Sequence, residues 1–385
     1  MSYTNISTMT STQTDSLPET CKAVMLYEHG QDLRIESIPT PKPVYGAVVV
    51  KIEASPVYGP WKQTFAAKAS IFSYPTPFVP GGAAVARVVA VGPDTTTLEP
   101  GQLVLTDYFI RARDNPDGVQ FLRGASTMGN HGAIKLASDL HHNGTWAEYQ
   151  LVTHENCHPL DEKRFLGSPA DGGLGYKVPQ LAMMVFQSIC YSGLCDIGLK
   201  AGETIVILPA TGVFGGCAVE VASTMGARVV AGGRNVEALK KLAQTVSNVK
   251  TVQLTGEVEA DTAAITECYG PVDCYFDISA PAMPNTNHIS AGFASLTTYG
   301  RACMMGGQRT NIPINYGVCV LKSLTIKGRF MYEREHVRDL IKLAATGALK
   351  LGSIDISEFK LEDWKEALDV AEDTHGWGKV VSLSP

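Results

Sequence analysis

Residues Thr204–Asn235 read TIVILPATGVFGGCAVEVASTMGARVVAGGRN: an apolar run, a turn of small residues, a helical stretch and a second apolar run. The opening run TIVIL reads as a strand. Ala210, Gly212 and Gly215 then stand in the spacing GxGxxG, with a strand before the pattern and a helix after it, as the chemistry requires. Gly212 lets the backbone approach a pyrophosphate resting on the helix N-terminus, and Gly215 lets helix and strand pack closely. Ala210, Thr211, Gly212, Val213, Phe214 and Gly215 are therefore the expected dinucleotide contacts. The plainer alternative is a tight turn in a domain that binds nothing.

The end of the second strand decides which dinucleotide is expected. A site for NAD places Asp or Glu about 20 residues beyond the glycines, on the ribose hydroxyls. Here that place holds Gly233, followed by Arg234 and Asn235. Glycine leaves room for a 2′-phosphate and a guanidinium can pair with it at two points, so NADPH is the expected cofactor. In the competing reading Arg234 is a solvated residue at the start of the next helix; Asn235 either assists it or caps that helix.

Outward from this unit, the rhythm after GLKAGE is strand and helix in alternation, through VDCYFDIS and RACMMGG, which predicts a parallel sheet covered by helices. Before it, short β runs such as KAVMLY, GAVVVKIEA and AAVARVVAVG are broken by Pro and Gly, as in a barrel. The tail from SLTIKGRF onward is too small for a domain and is expected to pack back on the barrel. The expected division is a mobile tail over 1–20, a first barrel segment over 21–178, a dinucleotide-binding domain over 179–324 and a return to the barrel over 325–385. Phe109 to Gly144 reads as one long loop.

Composition narrows the class of partner. The chain has 385 residues, 45% of them hydrophobic, enough for more than one packed domain. A net charge of −6 without long runs leaves no electrostatic footprint for nucleic acid or an anionic membrane, so a small molecule is the expected partner. The nine cysteines form no CxxC pair, which suggests neither a zinc site nor a disulfide framework and fits a reducing compartment. The first residues resemble no signal or transit peptide, and the apolar stretch from Leu181 is interrupted by polar residues as in a buried helix; the cytoplasm is the expected address.

Taken in order, VKIEAS, VARVVAVGPDTTTLEPGQLVL, GTWAEYQLV, GLKAGETIVILPATGVFGG and GRACMMGGQ resemble the medium-chain dehydrogenase/reductase superfamily over nearly all of residues 21 to 385. The likeness is to its zinc-independent branch, with quinone oxidoreductases, enoyl reductases and fungal zinc-free relatives. It implies an α/β protein with a GroES-like β-barrel catalytic domain, a Rossmann dinucleotide-binding domain and an active site in the cleft between them, commonly in a homodimer, with the monomer left open. Zinc-dependent members carry a Cys after the AS element, an Asp beyond it and a His-Glu pair in the glycine turn. The matching positions hold Tyr58, Trp61 and the pair Gly82-Ala83. Catalytic zinc needs about three protein ligands, so no metal is expected. His131, His141 and His142 lie in the long loop and read as solvated.

Without a Lewis acid, hydride addition to a plain ketone is harder than addition to the β-carbon of an enone, quinone or enoyl ester, where charge spreads into an enolate. The resemblance implies a tyrosine near the lost metal position as proton donor or substrate contact. Tyr58, at the position itself, and Tyr74 are the candidates, each with the alternative of filling space in the barrel. Trp61 and Phe78 are expected pocket walls or core. Ser279 with Ala280, and Met305 with Gly306, match the edges that hold the nicotinamide in the family, while Phe330 and Tyr332 return to the cleft near an apolar substrate. Two other readings stay open. One is a redox-silent lyase, isomerase or cyclase, which Pro209 in place of the family's usual Gly favours; the other is a non-enzymatic cofactor-binding protein.

Overall fold

The computed structural model describes residues 17–385 apart from 71–72, 282, 284–285, 309–310, 313, 352–353 and 375. Residues 1–16 of the expected mobile tail lie outside the described residues, and Thr20 already opens the strand Thr20–Met25.

The TIVIL run is the strand Thr204–Leu208, buried along its whole length. It sits inside a six-stranded sheet in the order Val249–Gln253, Arg228–Gly233, Thr204–Leu208, Val272–Asp277, Leu296–Met304, Thr325–Gly328. Every neighbouring pair is parallel. The chain order reverses beside Thr204–Leu208, and at such a switch point the helices leave a crevice beyond the carboxyl ends of the strands. Thr325–Gly328 pairs in register with Arg301–Met304, so the α/β unit runs past the expected boundary at 324. That strand is short, polar at alternate positions and exposed, as an edge strand is, and carries no strong pattern of its own.

The barrel sheet is built on the long strand Ala47–Val57, paired antiparallel with Ala84–Val91 and Tyr149–Thr153. The C-terminal strands Asp355–Lys360 and Lys379–Ser384 join the same sheet, with Val381 opposite Val57. The tail therefore joins the barrel sheet from Asp355 onward, while its first strand, Thr325–Gly328, belongs to the parallel sheet. The span expected as one loop is more ordered than its composition indicates. Phe109–Arg111 pairs with Gln120–Leu122, and the helix His131–Asp139 is capped by the Asn130 side chain, which accepts from Ala133 N–H at 3.1 Å.

Helix Met183–Asp196 lies at the seam, packed on Val213–Thr224 of the α/β unit and on Arg334–Ala345. The stretch Val178–Asp196 is long and apolar enough to cross a membrane, but 83% of it is buried inside the protein. It is a core helix.

Candidate active site

A cavity of about 510 Å³ opens between barrel and parallel sheet. Its two walls come from different elements. The α/β unit contributes Gly212 to Gly215, Ile278 to Pro281, Met305 and Gly307; the barrel contributes Val57, Tyr58, Tyr108 and Leu122; Met183, Phe186 and Phe330 close the space between them.

The α/β wall is mostly backbone. Gly212 is the N-cap of Val213–Thr224 and supplies no side-chain acceptor, so the first N–H groups of that twelve-residue helix are left for another partner. A Cβ at Gly212 would meet nothing within 4 Å, whereas one at Gly215 would collide with Pro209 O and lie 2.8 Å from Ala210 Cα. The first glycine thus keeps the approach open and the second seats the helix on the strand. This arrangement fits a dinucleotide, whose pyrophosphate Gly212, Val213 and Phe214 would hold.

The remaining candidates on this side lie around the turn. Ala210 is buried beneath it, and Thr211 O accepts from Trp377 N–H at 3.1 Å, tying the turn to the barrel's C-terminal segment. Gly233 ends its strand where a Cβ would stand 2.8 Å from Thr211 Cγ2. Arg234 is exposed just beyond it, and Asn235 caps the next helix, accepting from Ala238 N–H at 3.0 Å.

Ser279 and Met305 face the cavity, while Gly306 lies behind them, where any Cβ would collide with the Asp277 carboxylate. Met305 N–H donates to Asp277 O at 2.9 Å and Gly307 N–H to Ser279 O at 2.8 Å, which locks the two strand ends together. Ser279 Oγ lies 2.5 Å from Asp277 Oδ1 and 2.7 Å from His288 Nε2. Burial raises the pKa of Asp277 from its ordinary value. Sequence reasoning missed Asp277, which ends the strand Val272–Asp277, and His288, which lies on the helix Asn287–Ala294.

On the barrel wall, Tyr58 follows directly on Ala47–Val57 and lines the cavity. Its ring packs edge-on against Phe214 at 5.6 Å and beside Phe186 at 6.3 Å, which brings it against the glycine turn. Burial raises its pKa, so it stays a neutral phenol. Tyr108, which sequence reasoning passed over, lines the same cavity; burial raises its pKa as well, and proximity to Tyr58 adds to the effect.

Several expected barrel residues lie elsewhere. Tyr74 is 2% exposed and does not line the cavity: its hydroxyl donates to His141 O at 2.5 Å and its ring packs on Phe78 at 4.9 Å. Trp61 and Phe78 belong to the same barrel core, Trp61 edge-on against Trp146 at 5.5 Å. These three are core residues, held by an aromatic cluster that forms across distant parts of the chain. Tyr332 is also buried, packed at 5.8 Å on Phe109 behind the wall, and only Phe330 of that pair reaches the cavity. His141 is buried rather than solvated, and burial pushes its pKa down to about 3.

Tyr58, Trp61, Gly82 and Ala83 include no sulfur, imidazole or carboxylate donor at the positions matched to metal ligands. Among the described residues no group of three or more His, Cys, Asp or Glu is placed to hold a metal.

The zinc-binding dehydrogenase family matches residues 214–346, and the alcohol dehydrogenase GroES-like domain matches residues 45–162. An acryloyl-coenzyme A reductase of Metallosphaera sedula is 23% identical over 363 residues, covering 94% of this chain and 99% of that protein. An alcohol dehydrogenase of Rhizobium meliloti is 26% identical over 342 residues, covering 85% and 89%. Among solved structures, a protein assigned as a zinc-binding dehydrogenase from Sinorhizobium meliloti 1021, bound to NADP, superimposes with a TM-score of 0.74 at 21% identity, covering 96% of this chain and all of that one.

Proposed function

The chain belongs to the medium-chain dehydrogenase/reductase superfamily, two-domain α/β oxidoreductases, and from that membership we propose that it is an NADPH-dependent reductase of an activated C=C bond that works without a metal ion. The observation that carries the proposal is the cavity itself: an uncapped helix start and glycine turn on one side, and neutral phenols instead of metal donors on the other.

Bound at the glycine turn, NADPH supplies a hydride. Gly212 and the first turn of Val213–Thr224 hold its pyrophosphate, and Arg234 is free to pair with the 2′-phosphate. The substrate is an enone, enoyl ester or quinone of largely apolar character, seated among Phe186, Phe214, Met183 and Phe330. Tyr58, a neutral phenol between this space and the glycine turn, protonates the α-carbon once the β-carbon has received hydride. The acryloyl-coenzyme A reductase likeness supports C=C reduction, and the NADP-bound structure supports the cofactor.

Fluorescence titration with NADPH and NADH, followed by a panel of enone, quinone and enoyl thioester substrates at the reduced-nicotinamide band, tests this reading. It predicts tighter binding of NADPH and its oxidation by at least one class of activated alkene; no binding, or no oxidation with any class, would contradict it. We further propose a homodimer, supported by the exposed edge strand Thr325–Gly328 beside exposed Tyr316, Val320 and Leu321. A monomer in sedimentation equilibrium would refute that point.

A further inference from the structure

Between the two vacated ligand positions lies a group of contacts that the proposed reaction does not yet use. A Cβ on Gly82 would stand 2.9 Å from Cγ of Tyr108 and 3.1 Å from Cδ2, so the Tyr108 ring takes the room that a side chain at position 82 would need. The ring is held there from behind by Arg123, whose guanidinium is fully buried. Arg123 Nη2 donates to Asp107 O at 2.9 Å and to Gly82 O at 3.2 Å, and its backbone N–H donates to Tyr108 O at 2.9 Å. One residue thus ties down the carbonyl before Tyr108, the carbonyl of Tyr108 and that of the glycine beneath the ring. Asp107 is fixed in turn by Asn156 at 2.8 Å and by His158 at 2.6 Å.

A buried guanidinium is costly, and here Nε and Nη1 find no partner among the described residues. The tyrosine it holds, by contrast, has a hydroxyl that no described group engages and a ring that lines the cavity. A rigid backbone holding a neutral O–H donor at a cleft wall is how a developing oxyanion is stabilised.

We propose that Tyr108 donates the hydrogen bond that stabilises the substrate's carbonyl oxygen, with Gly82 and Arg123 as positioning residues. The inference rests on the reductase reading. Hydride adds to the β-carbon, the π pair of the C=C bond moves through the α-carbon to the carbonyl oxygen as an enolate, and Tyr108 O–H binds that oxygen without giving up its proton. The α-carbon then takes its proton from Tyr58, which is reprotonated from water. Tyr108 and Tyr58 thereby divide the work that one metal ion and its water would do.

The test is Tyr108→Phe, which removes only an oxygen, assayed with cyclohexenone, a benzoquinone and crotonyl-CoA. The expected result is a fall in kcat of about 100-fold with NADPH affinity and melting temperature unchanged. Gly82→Ala, which pushes the ring, and Arg123→Lys, which loosens it, are each expected to lower kcat in the wild-type background and to add nothing once Tyr108 is Phe. A merely structural role would not give that coupling. A Tyr108→Phe enzyme within threefold of wild type would overturn the inference and leave the reductase reading standing. A wild-type enzyme inert toward all three probes would bring down both.

Discussion

The wall of the cleft contributed by the parallel sheet is made of backbone, and the wall contributed by the barrel is made of aromatic side chains. On the first, Gly212 and an uncapped helix start present N–H groups to whatever lies in the cavity. On the second, Tyr58 and Tyr108 line the cavity, with Phe186 and Phe214 closing the gap. In the proposed reading the difference separates two tasks. Backbone dipoles can hold a dianionic pyrophosphate at fixed geometry whatever the substrate, while neutral phenols stabilise a charge that exists only during reaction.

The comparison breaks most sharply at Gly215. Gly215→Val puts a branched side chain into Pro209 O and Ala210, so NADPH affinity measured by titration is expected to fall by about two orders of magnitude, with loss of stability. Retained binding would mean that the backbone wall is not the cofactor site. On the aromatic wall, Tyr58→Phe is expected to lower kcat by about 100-fold with NADPH affinity unchanged. Tyr74→Phe serves as its contrast: kcat stays within about twofold and stability falls by about 1 kcal/mol as a buried hydrogen bond is lost, read by denaturant unfolding.

A smaller effect sharpens the cofactor side. Arg234→Ser is expected to weaken NADPH about tenfold and to leave NADH unchanged, since only the 2′-phosphate distinguishes the two. Equal weakening of both would make Arg234 a general rather than a discriminating contact.

The smallest effect concerns the seam behind the walls. Glu220, on Val213–Thr224, accepts a hydrogen bond from Gln187 Nε2 at 3.1 Å, and burial pushes its pKa up to about 7 despite bonds from Gln187 and Trp377. Below the ordinary value of 4.5 both folded and unfolded chains hold the proton; between there and about 7 only the folded chain does. Stability therefore declines as pH rises through that window and levels off above it, by up to about 3 kcal/mol. Glu220→Gln is expected to flatten the melting temperature between pH 5 and 8; an unchanged slope would place the titration elsewhere.

The two walls also differed in how far they could be read from the chain alone. A glycine turn between a strand and a helix is a local pattern, because the need for Gly212 and Gly215 arises from backbone within a few residues of each. That the strands around it form a parallel sheet followed from the alternation of elements, except that Thr325–Gly328 was given to the barrel, its edge position leaving little apolar signal. On the barrel wall the residue type was legible but its direction was not. Tyr58 and Tyr74 look alike in sequence. What distinguishes them is long-range packing: Tyr74 meets His141 and Phe121 from the segment read as a loop, while Tyr58 meets Phe214 from the other domain. Tyr108 was hidden for the same reason, since its relation to Gly82 and Arg123 exists only once strand ends and the Gln120–Leu122 turn come together.

Hydride delivery without a metal is tested most directly by following NADPH oxidation with an activated alkene in the presence of excess EDTA and then of added zinc. Turnover unaffected by either addition is the predicted result. Turnover abolished by the chelator and restored by zinc would contradict it.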